Sequence, residues 1–244
     1  MKKLIALLIT SSLLYSCGIL DKGEKVVYGL GEIYYKDGVS QSEAEKFGNY
    51  LYRKDIFNIE GKKVVQLIRK NDTLTMRFVT NENYIKDPAY IHNTKLFAAE
   101  ISSAVFSDLP LNTELMTPYF NTETEIKAFG RKILTQDGNY YYSYSIGENK
   151  AASLFIYLND SLEFFTNFEG WVLVNDRQDY FEMEIGTPED ISKAPATLYT
   201  YKLVALSVAK KYYGDIKLPI ELSIYELNHK LQKKLTFKDR TWVE

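Results

Sequence analysis

The sequence is poor in the residue types from which most active sites are built. Its 244 residues include one cysteine, Cys17, and two histidines, His92 and His229. A single cysteine closes no internal disulfide and cannot furnish a cysteine-rich metal site. Two histidines at unrelated positions leave little for general-base chemistry near neutral pH, and no H-E-x-x-H, calcium-loop or G-x-S-x-G pattern occurs. Gly29, Gly31 and Gly38 precede a strand-like run, whereas a dinucleotide fingerprint follows one. The basic clusters Gly61-Lys63 and His229-Lys234 are short and read as solvated faces, so no nucleic-acid partner is expected. Beyond the N-terminal segment, no apolar run approaches the roughly 20 residues of a membrane span. These absences predict no catalytic residue, no metal site and no cofactor.

The N-terminal segment is a different matter. Lys2 and Lys3 are followed by an apolar run from Leu4 to Leu14 and then a small residue before Cys17, the layout of an export signal. The tetrapeptide Leu14-Tyr15-Ser16-Cys17 resembles the lipobox of bacterial lipoproteins, most closely the relaxed form found in Bacteroidota-like bacteria. The resemblance implies that residues 1–16 are a signal peptide and that Cys17 becomes an acylated N-terminus, removing the liability of a free thiol in an oxidising compartment. Residues 17–30 are expected to form a tether with no acidic surface-export run, which points to a periplasm-facing outer-membrane anchor. Loss of Lys2 and Lys3 leaves 28 basic against 32 acidic residues, a mildly acidic chain.

The rest of the chain is written twice. At a constant offset of 107 residues, Tyr34, Tyr35, Ala44, Tyr50 and Leu51 fall opposite Tyr141, Tyr142, Ala151, Tyr157 and Leu158. Phe57, Val65, Met76, Pro88, Lys95 and Ala98 then meet Phe164, Val172, Met183, Pro195, Lys202 and Ala205 without a gap, and Leu111 and Leu115 meet Leu218 and Leu222. Two copies burying the same face account for this.

Each copy reads as β-α-β-β-α-β. Ile33-Lys36 is a strand; Ser40 with Glu43 forms a capping box, and Ala44, Phe47 and Leu51 make one helical stripe. Alternating runs Val64-Arg69 and Leu74-Val79 form a hairpin. Asp87-Pro88 starts a second helix with the stripe Ile91, Thr94, Ala98, Ile101 and Val105. A last strand follows near Leu111-Met116. The expected fold class is therefore α+β, a tandem repeat of ferredoxin-like split βαβ units. Each would be an antiparallel sheet with helices on one face, with Pro219 at an edge and the halves related by a pseudo-twofold axis through their sheets. The expected boundaries are 31–127 for the first repeat, 128–138 for a linker and 139–244 for the second repeat.

The first copy, with a tyrosine pair, then Gly-Val-Ser, a Glu-Ala pair and a G-x-Y-L helix end, resembles a bacterial domain family of unassigned function. That resemblance implies a fold and no functional residues. The matched acids Asp72/Asp179 and Asp108/Asp215 fall in turns or after helices and read as local backbone caps. The aromatic content, with 20 Tyr and 13 Phe, suits interfaces as well as cores. Tyr140, Tyr144 and Trp171 have no aromatic counterpart in the first copy, so they form the candidate partner-binding surface. The expected function is a non-enzymatic, lipid-anchored envelope binding module with an envelope protein partner. The competing expectations are an enzyme with an acidic site between the repeats and a purely structural envelope component.

Overall fold

Helix starts and hairpins follow the local chemistry. The computed structural model describes residues 22–57, 61–70, 73–134, 139–165, 168–214, 216 and 218–244. The expected signal segment, Cys17, Asp72 and Asp215 lie outside them. Strands β1 (Glu24–Tyr28) and β2 (Gly31–Tyr35) precede helix α1 (Gln41–Arg53). Ser40 caps α1 by accepting from the Glu43 amide, and the Glu43 carboxylate accepts from the Ser40 amide at 2.8 Å. Strands β3 (Lys63–Lys70) and β4 (Thr73–Val79) form the hairpin, and a short helix α2 (Glu82–Ile85) leads to α3 (Pro88–Val105). Strands β5 (Leu111–Met116) and β6 (Thr122–Ile126) complete the first sheet.

The second repeat runs β7 (Gly130–Leu134), β8 (Asn139–Ser143), α4 (Glu148–Ile156), β9 (Trp171–Asp176), β10 (Phe181–Thr187), α5 (Pro195–Tyr213), β11 (Ile220–Glu226) and β12 (Leu231–Lys238). A short strand β13 (Thr241–Val243) follows. Where the first copy has the Ser40 cap, α4 starts at Gly147 with no side-chain cap. Gly147 has a φ of +75°, a conformation costly for other residues.

The strand order corrects the ferredoxin-like expectation. In both sheets the strands lie side by side in chain order, β1 to β6 and β7 to β13. Each helix returns the chain to the neighbouring position, so β2 runs parallel to β3, and β4 to β5, with only the hairpins antiparallel. Element order does not specify whether a crossover lands beside its strand or skips one. The last strand of each unit is also not an edge, since β6 and β12 flank β5 and β11. Pro219 precedes β11, and its carbonyl accepts from the Phe181 amide at 3.0 Å.

The repeat is larger than the sequence reading, because β1 and β6 recur as β7 and β12. The pairs Val26↔Ile33 and Ile33↔Val65 recur 107 residues later as Ile133↔Tyr140 and Tyr140↔Val172. Beyond α5 the equivalence slips by two residues: β4 pairs Leu74 with Leu111, whereas β10 pairs Phe181 with Ile220. The structural partner of Leu111 is thus Ile220, not Leu218; a two-residue slip preserves which side chains face inward. A bulge falls at the corresponding place in both copies, at Leu115/Met116 and Ile224/Tyr225. Residues expected as tether and linker include β1 and β7.

The halves stack in layers rather than about a twofold axis. Helix α3 is buried on two opposite flanks. Ala98 and Ile101 join the core beneath the first sheet, while Leu96 and Ala99 pack on Tyr141, Trp171 and Leu173 of the second sheet. The second sheet carries α4 and α5 on its other face, against Val172, Val174, Met183, Ile185, Leu222 and Ile224. The order is sheet, helices, sheet, helices. Residues Trp171 to Val174 are accordingly buried on both faces.

Candidate functional site

The seam between α3 and the second sheet gathers the two histidines that the sequence holds 137 residues apart. His92, on the flank of α3 that carries Leu96, places Nε2 at 2.7 Å from Glu184 Oε2 and Nδ1 at 3.1 Å from His229 Nδ1. Its ring stacks on Tyr225 with centroids 4.6 Å apart, and Trp171 stacks on His229 at 5.2 Å. His229 reaches the seam from the β11–β12 turn in a left-handed conformation, φ +67°. Glu184 is 3 % exposed, and Lys95 Nζ lies 3.7 Å from its second oxygen. Burial alone would raise the Glu184 carboxyl, but the His92 hydrogen bond and the Lys95 charge outweigh it and hold it below the usual carboxylate range. At the other end of the seam, burial opposes ionisation of Glu100. Lys132 at 2.8 Å and the Tyr50 hydroxyl prevail and bring it down to about 2. A carboxylate–imidazole–imidazole chain can relay a proton. Here rings close it on two sides, so it also serves as a hydrogen-bonded latch between repeats.

The latch is expected to be acid-sensitive. Burial, then the adjacent His92, pushes the His229 imidazole from 6.5 down to about 4. Between those values the unfolded chain takes up a proton that the folded chain does not, so stability falls as pH falls through that window. The Glu184 contribution is present above its unfolded value of 4.5 and is lost below it. Thermal midpoints measured across this range should therefore decline from about pH 6.5 downward. His229→Asn, which tolerates positive φ, should flatten the upper part of that decline. An unchanged slope in the variant would remove His229 as its cause.

A cleft of about 640 Å³ opens within the first repeat, where β3 and β4 meet α3. This is the size of ordinary small-molecule sites. Phe57, Phe78, Tyr84, Tyr90 and Phe97 contribute to its walls, with Phe78 and Phe97 rings 6.1 Å apart. Thr80, Asn81, Asn93 and Thr94 supply polar atoms, and Lys62 and Lys63 stand on its rim. Lys62 is held by Glu32 at 2.9 Å.

The second repeat fills the corresponding space with its own rings. Tyr201 stands where the first repeat has Thr94 and is 5 % exposed. Phe168 aligns with Gly61 at the 107-residue offset, and packs on Phe164 with centroids 4.5 Å apart. A polar groove of about 740 Å³ lies over the same strand ends there, lined in part by Glu189, Asp190, Asn228 and Lys230.

The candidate surface from the sequence is placed differently. Tyr140 is fully buried among Ala151, Leu154 and Val172, and Trp171, 6 % exposed, lies in the seam. Trp171 fits because Gly186 opposite leaves room: a Cβ there would stand 2.1 Å from the indole nitrogen. Tyr144 is half-buried, with the Arg131 guanidinium 5.5 Å from its ring. The three do not form one solvent-facing patch, because β8 and β9 are inner strands covered on both faces. Tyr35 and Tyr142 lie in the two cores, whereas Tyr34 is half-buried and Tyr141 packs in the seam. No spacing in the sequence marks His92, Glu184 and His229 as a site. The available signal was Leu96 and Ala99, an apolar flank on α3 beyond its main stripe.

A model of the AF_1994_N family, described as a family N-terminal domain, matches residues 25–128. The match runs from β1 past β6, so it spans the first sheet, both of its main helices and the cleft. No curated protein matches the chain. The crystal structure of a sex pheromone precursor from Lactobacillus salivarius subsp. salivarius UCC118 is similar at 14 % identity with a TM-score of 0.28. That similarity covers 72 % of this chain and 64 % of the other, under two thirds of its length. A likeness so slight bears on neither fold nor activity.

Proposed function

We propose that the protein is a lipid-anchored, periplasm-facing module of a bacterial cell envelope that binds a small ligand in its first repeat without transforming it. The observation that supports binding is the cleft, open in one repeat and plugged by Tyr201 and Phe168 in the other. A cavity that the same fold fills elsewhere with side chains is not forced by the architecture. Among the described residues, its lining carries no acid, histidine or cysteine, so it offers contact area rather than acid–base chemistry. Anchoring through Cys17 is supported by the lysine-led apolar segment and the lipobox-like tetrapeptide. No helix among the described residues is long and apolar enough to cross a membrane.

Cys17→Ser is expected to move the protein from the membrane to the soluble fraction, since acyl chains would be its main tether. Fractionation and immunoblotting check this; continued membrane attachment of the variant would count against the anchor. Native mass spectrometry of the protein extracted from membranes tests the binding half. A released low-mass species at near-equal stoichiometry is expected.

A further inference from the structure

We infer that the cleft of the first repeat takes a small phenolic molecule. This rests on the reading of the cleft as a ligand site and names the class of ligand. The second repeat supplies the template. Tyr201 projects from α5 and donates its hydroxyl to Thr187 Oγ1 at 3.0 Å. Its ring lies 6.1 Å from Phe164 and 6.4 Å from Phe168. In the first repeat the counterpart of Thr187 is Thr80. The π-helical turn Tyr157–Ser161 adds one residue to the second repeat, so Phe164, whose amide donates to the Leu158 carbonyl, corresponds to Ile56, whose amide donates to the Leu51 carbonyl. Thr80 and Ile56 both line the cleft. The counterpart of Tyr201 is Thr94, whose hydroxyl turns back to donate to the Tyr90 carbonyl at 2.8 Å. Gly61, aligned with Phe168, has open space where its Cβ would be.

The first repeat thus keeps the hydroxyl partner of a tyrosine site, has an apolar Ile56 wall in place of Phe164, and lacks the tyrosine. A phenol entering beside Ile56 would occupy the space of the absent ring and put its hydroxyl on Thr80. The space that Phe168 fills in the other copy leaves room for a substituent directed outward past Gly61. The rim lysines and the lack of acids among the described lining residues favour a neutral or anionic ligand over a cation.

The test is calorimetric titration of the detergent-solubilised full chain with p-cresol, toluene and octanoate, with thermal melts of each variant. The wild-type protein should bind p-cresol at one saturable site. Thr94→Tyr, which supplies the missing ring covalently, should weaken p-cresol binding at least about tenfold while keeping or raising the midpoint, since filling a cavity adds contacts. Thr94→Phe serves the same purpose if the tyrosine variant does not fold. Thr80→Val should weaken p-cresol about fivefold and leave toluene unchanged, the size expected for one hydrogen bond. Unchanged p-cresol affinity in folded Thr94→Tyr or Thr94→Phe would overturn the assignment. Binding of octanoate but not p-cresol, blocked by the same variants, would overturn the phenolic class and leave the ligand cleft standing. Binding of none of the three would count against both.

Discussion

Glu184→Ala should lower the stability of the whole chain by about 3–5 kcal/mol, the cost of breaking a buried pair by removing one partner. Glu184 lies on β10 in the second repeat, yet the groups it satisfies, His92 and Lys95, belong to α3 in the first. Its removal leaves Lys95 with 17 % of its side chain exposed and no carboxylate partner, and His92 without its 2.7 Å contact. Urea denaturation followed by circular dichroism checks the size. A double-mutant cycle with His92→Ala separates the pair from the cavity, and coupling near zero would mean that the contact carries no weight. Glu184→Gln, which keeps volume and an acceptor oxygen, should fall between wild type and alanine.

The second large effect is at Tyr140. In the sequence it stood as an interface candidate; in the structure its ring is fully buried beside Phe155, with centroids 5.7 Å apart. Tyr140→Ala is expected to cost about 3–5 kcal/mol, the range for emptying the site of a large buried ring. Its hydroxyl is buried without a hydrogen-bond partner among the described groups, and burial raises its pKa well above the ordinary phenol value. Tyr140→Phe should therefore match or exceed wild-type stability, because it deletes an unsatisfied polar atom. A Phe variant destabilised as much as the Ala variant would show that the hydroxyl does have a partner. Tyr144→Ala, at a half-buried ring, should cost less than Tyr140→Ala.

The parts of the fold legible in the sequence were those set by neighbours along the chain. The Ser40–Glu43 cap, Pro88 opening α3 and the alternation of Val65 and Leu67 against Leu74 and Met76 depend on local spacing, and they recur as expected. Strand order was not legible, because a helix crossing to the adjacent strand leaves the same apolar pattern as one that skips a position. The continuous run Trp171-Val172-Leu173-Val174 did carry a clue. A strand that is apolar at successive positions is covered on both faces, which a sheet with helices on one side alone does not provide. The cleft was hidden for a related reason: Thr94 and Gly61 mark it only by being smaller than Tyr201 and Phe168. The repeat alignment contains those pairs, but the aromatic gains stand in the second copy, whereas the opening lies where the first copy lacks bulk. His92 seemed isolated because its partners, Glu184 and His229, are brought to it by stacking of the repeats.

The sharing of α3 by two sheets removes any internal joint from the molecule. A helix that belongs to one layer can let its domain swing or melt separately. Here, parting the repeats uncovers Leu96 and Ala99, strips Tyr141 and Leu173 of their cover, takes His92 and Lys95 from Glu184, and takes Lys132 from Glu100. The duplicated chain is thus expected to unfold as one cooperative body with a single heat-absorption peak in calorimetry. The stretch from 25 to 128, although complete as a sheet with its helices, carries half of a contact surface whose other half lies in the second repeat.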